Sequence, residues 1–140
     1  MKKTIKLIEE IPEDLIRAAK IDGLPDRAIN GKIKIGAFAD GKLIGFASAI
    51  LLEDSLMGTA VFVTKQYRRQ GFATKLSYRL LGEAKKRGLK GVEFKSPTRG
   101  SRRIFKKEGK NPRTPKIFEK FEMGRYDSKT KSFLARFRRK

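Results

Sequence analysis

Two side chains that carry much of enzyme chemistry are missing: this 140-residue chain has no cysteine and no histidine. Without cysteine there are no disulfides, thiolate nucleophiles or thiolate metal sites. Without histidine, no imidazole metal site or histidine-based catalytic triad can be built. No metal is expected, and any proton transfer falls to Glu, Asp, Tyr, Lys, water or the substrate. Apolar runs are also short, none approaching the roughly 20 residues that span a bilayer. The start, MKKTIKLIEE, turns acidic after a few apolar residues and lacks the core of a signal peptide. A soluble, cytoplasmic protein with no membrane partner is expected. The hydrophobic residues, 39% of the chain, are spread along its whole length. There is no internal repeat or low-complexity linker. One domain over 1–140 around one core is therefore expected, with a basic end at about 132–140.

Acidic residues run short in the second half. Residues 1–64 carry 9 Lys/Arg and 9 Asp/Glu, whereas residues 65–140 carry 26 and 6, so the whole net charge of +20 arises after residue 64. Such an imbalance favours polyanionic ligands, with coenzymes and nucleic acid foremost. It argues against polyamines and aminoglycosides, which a cationic site would repel.

The pattern along the chain predicts an α/β (α+β) fold on one mixed, mostly antiparallel sheet. Thr4–Glu9 reads as a strand. Pro12, Glu13 and Asp14 open a helix to about Lys20, since Pro and acids suit a first turn. Asp22–Gly31 reads as a loop. Lys32–Ala39 alternates, Asp40-Gly41 is a type I′ hairpin signal, and Lys42–Leu52 returns. A further strand is expected at Leu56–Thr64. A helix from about Gly71 to Arg87 shows the apolar stripe Ala73, Leu76, Leu80, Ala84, with Gly88 as its cap. Then come a strand at Leu89–Lys95, a short helix at Ser101–Glu108, and strands at Lys116–Met123 and Ser132–Arg138.

The informative stretch runs from Thr59 to Leu76: a buried strand, a basic turn, Gly71, then the amphipathic helix. A helix N-terminus offers unpaired N–H groups and partial positive charge, which suit a phosphate. Gly71 allows close approach of an anion, small Ala73 leaves room, and Arg68 and Arg69 add charge. No Walker sequence G-x-x-x-x-G-K-[ST] occurs, and two of the three glycines of a dinucleotide fingerprint are missing.

Arg68-Arg69-Gln70-Gly71-Phe72-Ala73 resembles the Q/R-x-x-G-x-G/A pyrophosphate loop of the Gcn5-related N-acetyltransferases (GNAT). The preceding hairpin with Gly45 is similar to that family too, and the likeness covers roughly residues 32–109. The resemblance implies helices on both faces of the sheet and acyl-CoA lying between two splayed central strands. It implies pantetheine pairing with main-chain groups at Phe62, Val63 and Thr64. The pyrophosphate would be held by backbone N–H groups of Gln70, Gly71, Phe72, Ala73 and Thr74, with Arg68 and Arg69 in support, Arg68 the more so as the motif's first residue. The implied reaction is transfer of an acetyl group from acetyl-CoA to an acceptor amine by direct attack, the Val63 N–H polarising the thioester carbonyl. The family's N-x-x-A-x-x-hydrophobic-Tyr stretch would fall at Thr98, Ser101, Ile104 and Phe105. Phe105 stands where the family often has a Tyr that protonates the leaving thiolate, and a phenyl ring cannot donate that proton.

Candidate bases are Glu93, flanked by Val92 and Phe94 in a strand, and Glu53 in the turn between the central strands. Basic residues with interleaved aromatics over 99–140 (Phe105, Phe118, Phe121, Phe133, Phe137) could also meet nucleic acid or another polyanion. Their alternation gives the phenylalanines a role as strand faces as well. Two alternative functions follow from that charge: a catalytically weak or inactive protein of this fold binding nucleic acid or ribosome, and toxin-like acetylation of charged tRNA. The acceptor, the acyl length and the choice between monomer and homodimer are not legible.

Overall fold

The structure, a computed structural model, describes residues 1–95, 121–127 and 132–137, those beyond residue 92 as backbone. Among the described residues seven strands form one sheet: β1 (Lys3–Leu7), β2 (Ile33–Ala39), β3 (Lys42–Leu51), β4 (Leu56–Val63), β5 (Gly91–Lys95), β6 (Phe121–Asp127) and β7 (Ser132–Phe137), in the order β1-β2-β3-β4-β5-β7-β6. Neighbours are antiparallel except β4 and β5. This is the mixed, mostly antiparallel sheet expected from the sequence. At the β2–β3 turn Asp40 and Gly41 have φ of 49° and 83°, the left-handed pair that a type I′ turn demands.

Helices cover both faces. One face carries α3 (Phe72–Lys86), whose Phe72, Leu76, Leu80, Leu81 and Ala84 are buried against Ile35, Ala47, Leu56, Val63 and Val92. The other carries α1 (Glu13–Ile21) and α2 (Asp26–Ile29), which bury Leu15, Ala19, Ala28 and Ile29 against Phe46, Ala60 and Phe62. The one-turn helix α2 lies where a loop is expected. Pro25 precedes its first residue and Asp26 opens its first turn, so loop-forming residues here start a helix. Phe72 rather than Ala73 begins the buried stripe of α3. The strand expected at Lys116–Met123 runs on through Gly124–Asp127 as β6, and its part before Phe121 lies outside the described residues. The expected helix at 101–108 lies outside the described residues.

The feature that positions the site is a β-bulge. The β3–β4 register pairs Ser48 with Ala60 but Ala49 with Gly58, leaving Thr59 as the extra residue of β4. Without it Leu56 and Val63, seven positions apart, would lie on opposite faces. With it both reach the α3 side, while Ala60 and Phe62 face α1. The Thr59 hydroxyl donates to the carbonyls of Ala28 (2.6 Å) and Ser48 (3.1 Å), tying the bulge to α2. A bulge bends its strand and sharpens the local twist. On the other edge of β4, the described parallel pairing with β5 covers Leu56↔Val92, Met57↔Glu93 and Gly58↔Phe94. β5 is described as far as Lys95, so the splay expected between the two central strands lies outside the described residues.

Candidate functional site

Antiparallel pairing sends the backbone groups of alternate residues to one neighbour, then away from it. The Thr64 N–H donates to the Ile44 carbonyl (2.9 Å), so Thr64 and, two residues earlier, Phe62 turn toward β3. This corrects the expectation that all of Phe62, Val63 and Thr64 offer main-chain groups to a ligand. Val63 alone of the three turns its main-chain groups away from β3, to the β5 edge of β4, and Val61 shares its orientation. The Val63 carbonyl is already taken, accepting a hydrogen bond from Arg68 Nε at 2.8 Å. The Val63 N–H makes no hydrogen bond among the described residues. Val61 has no signal in the sequence, because it becomes visible only once the bulge sets the alternation.

Just past β4 a 3₁₀ turn, Lys65–Tyr67, leads into Arg68-Arg69-Gln70-Gly71 and α3. Arg69 and Gly71 both take left-handed backbone, φ 63° and 86°. The first hydrogen bond of the helix joins the Lys75 N–H to the Gly71 carbonyl (3.1 Å). The N–H groups of Phe72, Ala73 and Thr74 therefore remain as the unpaired donors of a helix start. A Cβ placed on Gly71 would meet nothing within 4 Å, so glycine is required there by its φ and the approach is clear. Donors, positive dipole end and open approach fit a phosphate group.

The two arginines divide their work differently from expectation. Arg68 is committed: besides Val63 it pairs with Asp22 at 3.0 Å and lies 5.7 Å from the centre of the Phe62 ring. It pins the loop to the end of β4 and to the segment between α1 and α2. Arg69 is exposed and unpaired among the described residues, so it is the cation at hand for an anion. Lys3 Nζ donates to the Gln70 carbonyl and sits over the Phe72 ring, fastening the loop to β1 as well. The Asp22 partnership lies beyond sequence reading, since 46 positions separate it from Arg68.

Of the two candidate bases, Glu53 lies the farther from Val63. It is exposed in the β3–β4 turn, before Leu56, at the end of β4 remote from Val63. That turn is fastened elsewhere, through the Asp54 carbonyl to the Lys90 N–H (2.8 Å). From Leu56 to Val61 alone the strand rises roughly 16 Å. Glu93 is the nearer of the two: its backbone is in register with Met57, one position before the last described β4–β5 pair, which leaves about 13 Å of strand rise to Val61. The stretch Thr98–Phe105 lies outside the described residues. No group of three or more carboxylates that could hold a metal occurs among the described residues, and none of their helices is long and apolar enough to cross a membrane.

A parallel pair of central strands, one of them leading into a phosphate-ready helix start, suits an acyl-CoA-binding α/β protein. The model of the acetyltransferase (GNAT) family matches residues 7–109, and the chain belongs to that family. It is an acetyl-CoA-dependent N-acetyltransferase. Solved structures similar to it in fold include Ard1 from Thermoplasma volcanium, with a TM-score of 0.63, 16% identity and 99% of each chain covered. Another is the ribosomal-protein-S18-alanine N-acetyltransferase from Escherichia coli (TM-score 0.58, 16% identity, 96% of this chain and 92% of that one). A third is the PaiA N-acetyltransferase from Thermoplasma acidophilum in complex with coenzyme A (0.59, 15%, 97% and 99%). No curated protein sequence matches the chain.

Proposed function

We propose that the enzyme acetylates the α-amino group of a peptide or protein, holding acetyl-CoA between β4 and β5. The observation that carries this placement of acetyl-CoA is the Val63 N–H, turned away from β3 beside the start of α3. The pyrophosphate sits on the N–H groups of Phe72, Ala73 and Thr74, supported by those of Gln70 and Gly71 and by Arg69. The pantetheine arm then runs back along β4 toward its pairing with β5. Acetyl-CoA supplies an activated acetyl thioester; strand N–H groups at Val63 and Val61 donate to it and to the arm, polarising the acetyl carbonyl.

The preference for an α-amine comes from the shortage of bases. Acylation needs a neutral amine. An α-amino group, with its pKa near 7.7–8.0, is about one-quarter neutral at pH 7.4, whereas a lysine amine near 10.4 is neutral to about 0.1%. A chain without histidine or cysteine has little with which to deprotonate lysine. Glu93, the nearer of the two candidate bases, suits the lighter task of accepting a proton from the amine through water. The Escherichia coli protein of similar fold bears the name of an alanine N-acetyltransferase, which agrees with this class of acceptor. The basic second half further favours acceptors that carry acidic or neutral residues.

The test is release of free thiol from acetyl-CoA in the presence of two peptides of one sequence containing a single lysine. One has a free N-terminus; the other has it blocked, leaving lysine as the only amine. Faster turnover with the free N-terminus, and a mass increase located there, are expected. Equal or faster turnover of the blocked peptide refutes the α-amine reading while leaving the acetyl-CoA site intact.

A further inference from the structure

A second basic feature lies on the opposite flank of α3 from β5. Lys3 and Ile5 of β1, together with Lys75, Tyr78, Arg79, Gly82, Glu83 and Lys86 of α3, line a groove of about 560 Å³. Four of these residues are cations and one is a carboxylate. That carboxylate, Glu83, is buried and bridged by Arg79 (3.3 Å) and Arg87 (3.7 Å), so its charge is answered within the protein. Lys75 and Lys86 are exposed and unpaired among the described residues. Lys75, Arg79 and Lys86 lie within about 40° of one another around the helix, a single stripe roughly 16 Å long.

From this we infer that the β1–α3 groove binds the backbone of single-stranded nucleic acid. The stripe matches the rise of about five stacked nucleotides at 3.4 Å each. Tyr78, half-buried and packed in part on the core, lines the same groove about 60° to one side of the stripe, and aromatic surface beside positive charge suits base stacking. A second copy of this chain is a poor occupant, since each copy carries +20. An acidic peptide would satisfy the lysines but gives an aromatic ring in the groove less to do. The groove is separate from the acetyl-CoA site: α3 offers its first turn to phosphate at one end and its β1-facing side to the strand. The residues that line it belong to β1 and α3 and not to 99–140, where the charge of the sequence alone points.

Fluorescence anisotropy of an end-labelled, mixed-sequence 20-nucleotide single-stranded RNA tests this on the full chain between about 50 and 200 mM salt. The comparison is with Lys75→Gln/Lys86→Gln, both at exposed positions whose loss leaves folding intact. Wild type should bind, with log affinity falling linearly in log salt. The double variant should bind several-fold more weakly at 50 mM, with a slope shallower by about 1.4, two contacts at 0.7 each for single strands. Its thermal stabilisation by acetyl-CoA should equal that of wild type. An unchanged slope places the RNA elsewhere and overturns the proposal, as does absence of binding at 50 mM salt. Polyglutamate competing as well as unlabelled RNA at equal charge overturns it too, marking the groove as a site for acidic protein.

Discussion

Glycines 71 and 88 form a natural matched pair for locating the pyrophosphate. They bracket α3, with φ of 86° and 72°, and a Cβ at either would meet nothing within 4 Å. Replacing each with glutamate therefore adds the same torsional penalty, about 1–2 kcal/mol for an L-residue in left-handed backbone, and no clash. The added charge acts with opposite sign. At the start of α3 a carboxylate is favoured by about 0.3–1 kcal/mol, and just past its end it is disfavoured by a similar amount. Without ligand, Gly71→Glu should thus cost about 1 kcal/mol and Gly88→Glu about 2. These correspond to falls in Tm of roughly 4 and 8 °C for a chain of this size. Acetyl-CoA at a hundred times its dissociation constant should stabilise the wild type by about 2.7 kcal/mol, near 10 °C. A carboxylate about 4 Å from one phosphate charge opposes this by about 4 kcal/mol at an effective dielectric of 20, so Gly71→Glu should lose the gain. Gly88→Glu should keep it. The order of stability therefore reverses when ligand is added. Thermal melts of the three proteins with and without acetyl-CoA read this directly. Full stabilisation of Gly71→Glu would remove the pyrophosphate from the start of α3. Equal loss in Gly88→Glu would show that damage to the helix, not to the site, is being measured.

Glu93→Gln should lower kcat at least tenfold with little change in affinity for acetyl-CoA, while Glu53→Gln should leave both within twofold; steady-state kinetics and calorimetric titration separate the two. If Glu53→Gln is the slower enzyme, the direction in which the arm runs along β4 has been inverted. Arg69→Gln should weaken acetyl-CoA binding several-fold without altering the unliganded Tm, since its side chain is exposed and unpaired among the described residues. Arg68→Gln should lower the unliganded Tm by roughly 4 °C, about 1 kcal/mol, because the Val63 carbonyl and Asp22 both lose their partner. Identical behaviour of the two arginine variants refutes the division of labour between them.

What the sequence could convey of this site divides along the reach of its interactions. Asp40-Gly41, the amphipathic period of α3 and the glycine at its start act over a few residues, and each is where its local chemistry puts it. The register of β4 is different in kind. Ala60-Val61-Phe62-Val63 is apolar on both faces because helices cover both sides of the sheet, so no alternation shows which residue faces α3. Thr59 carries no local mark of a bulge either; what holds it out is the pairing of Gly58 with Ala49, reinforced by the Ala28 carbonyl from α2. Yet that single inserted residue decides which backbone groups face β3, and it turns Phe62 and Thr64 toward β3 and Val61 and Val63 away from it. The same holds for charge. A motif can place two arginines side by side, but Asp22 decides which one is free to meet a phosphate. Chemistry in this protein is thus named by local sequence and aimed by long-range pairing, and the residues misread are those whose aim depends on a partner in another element.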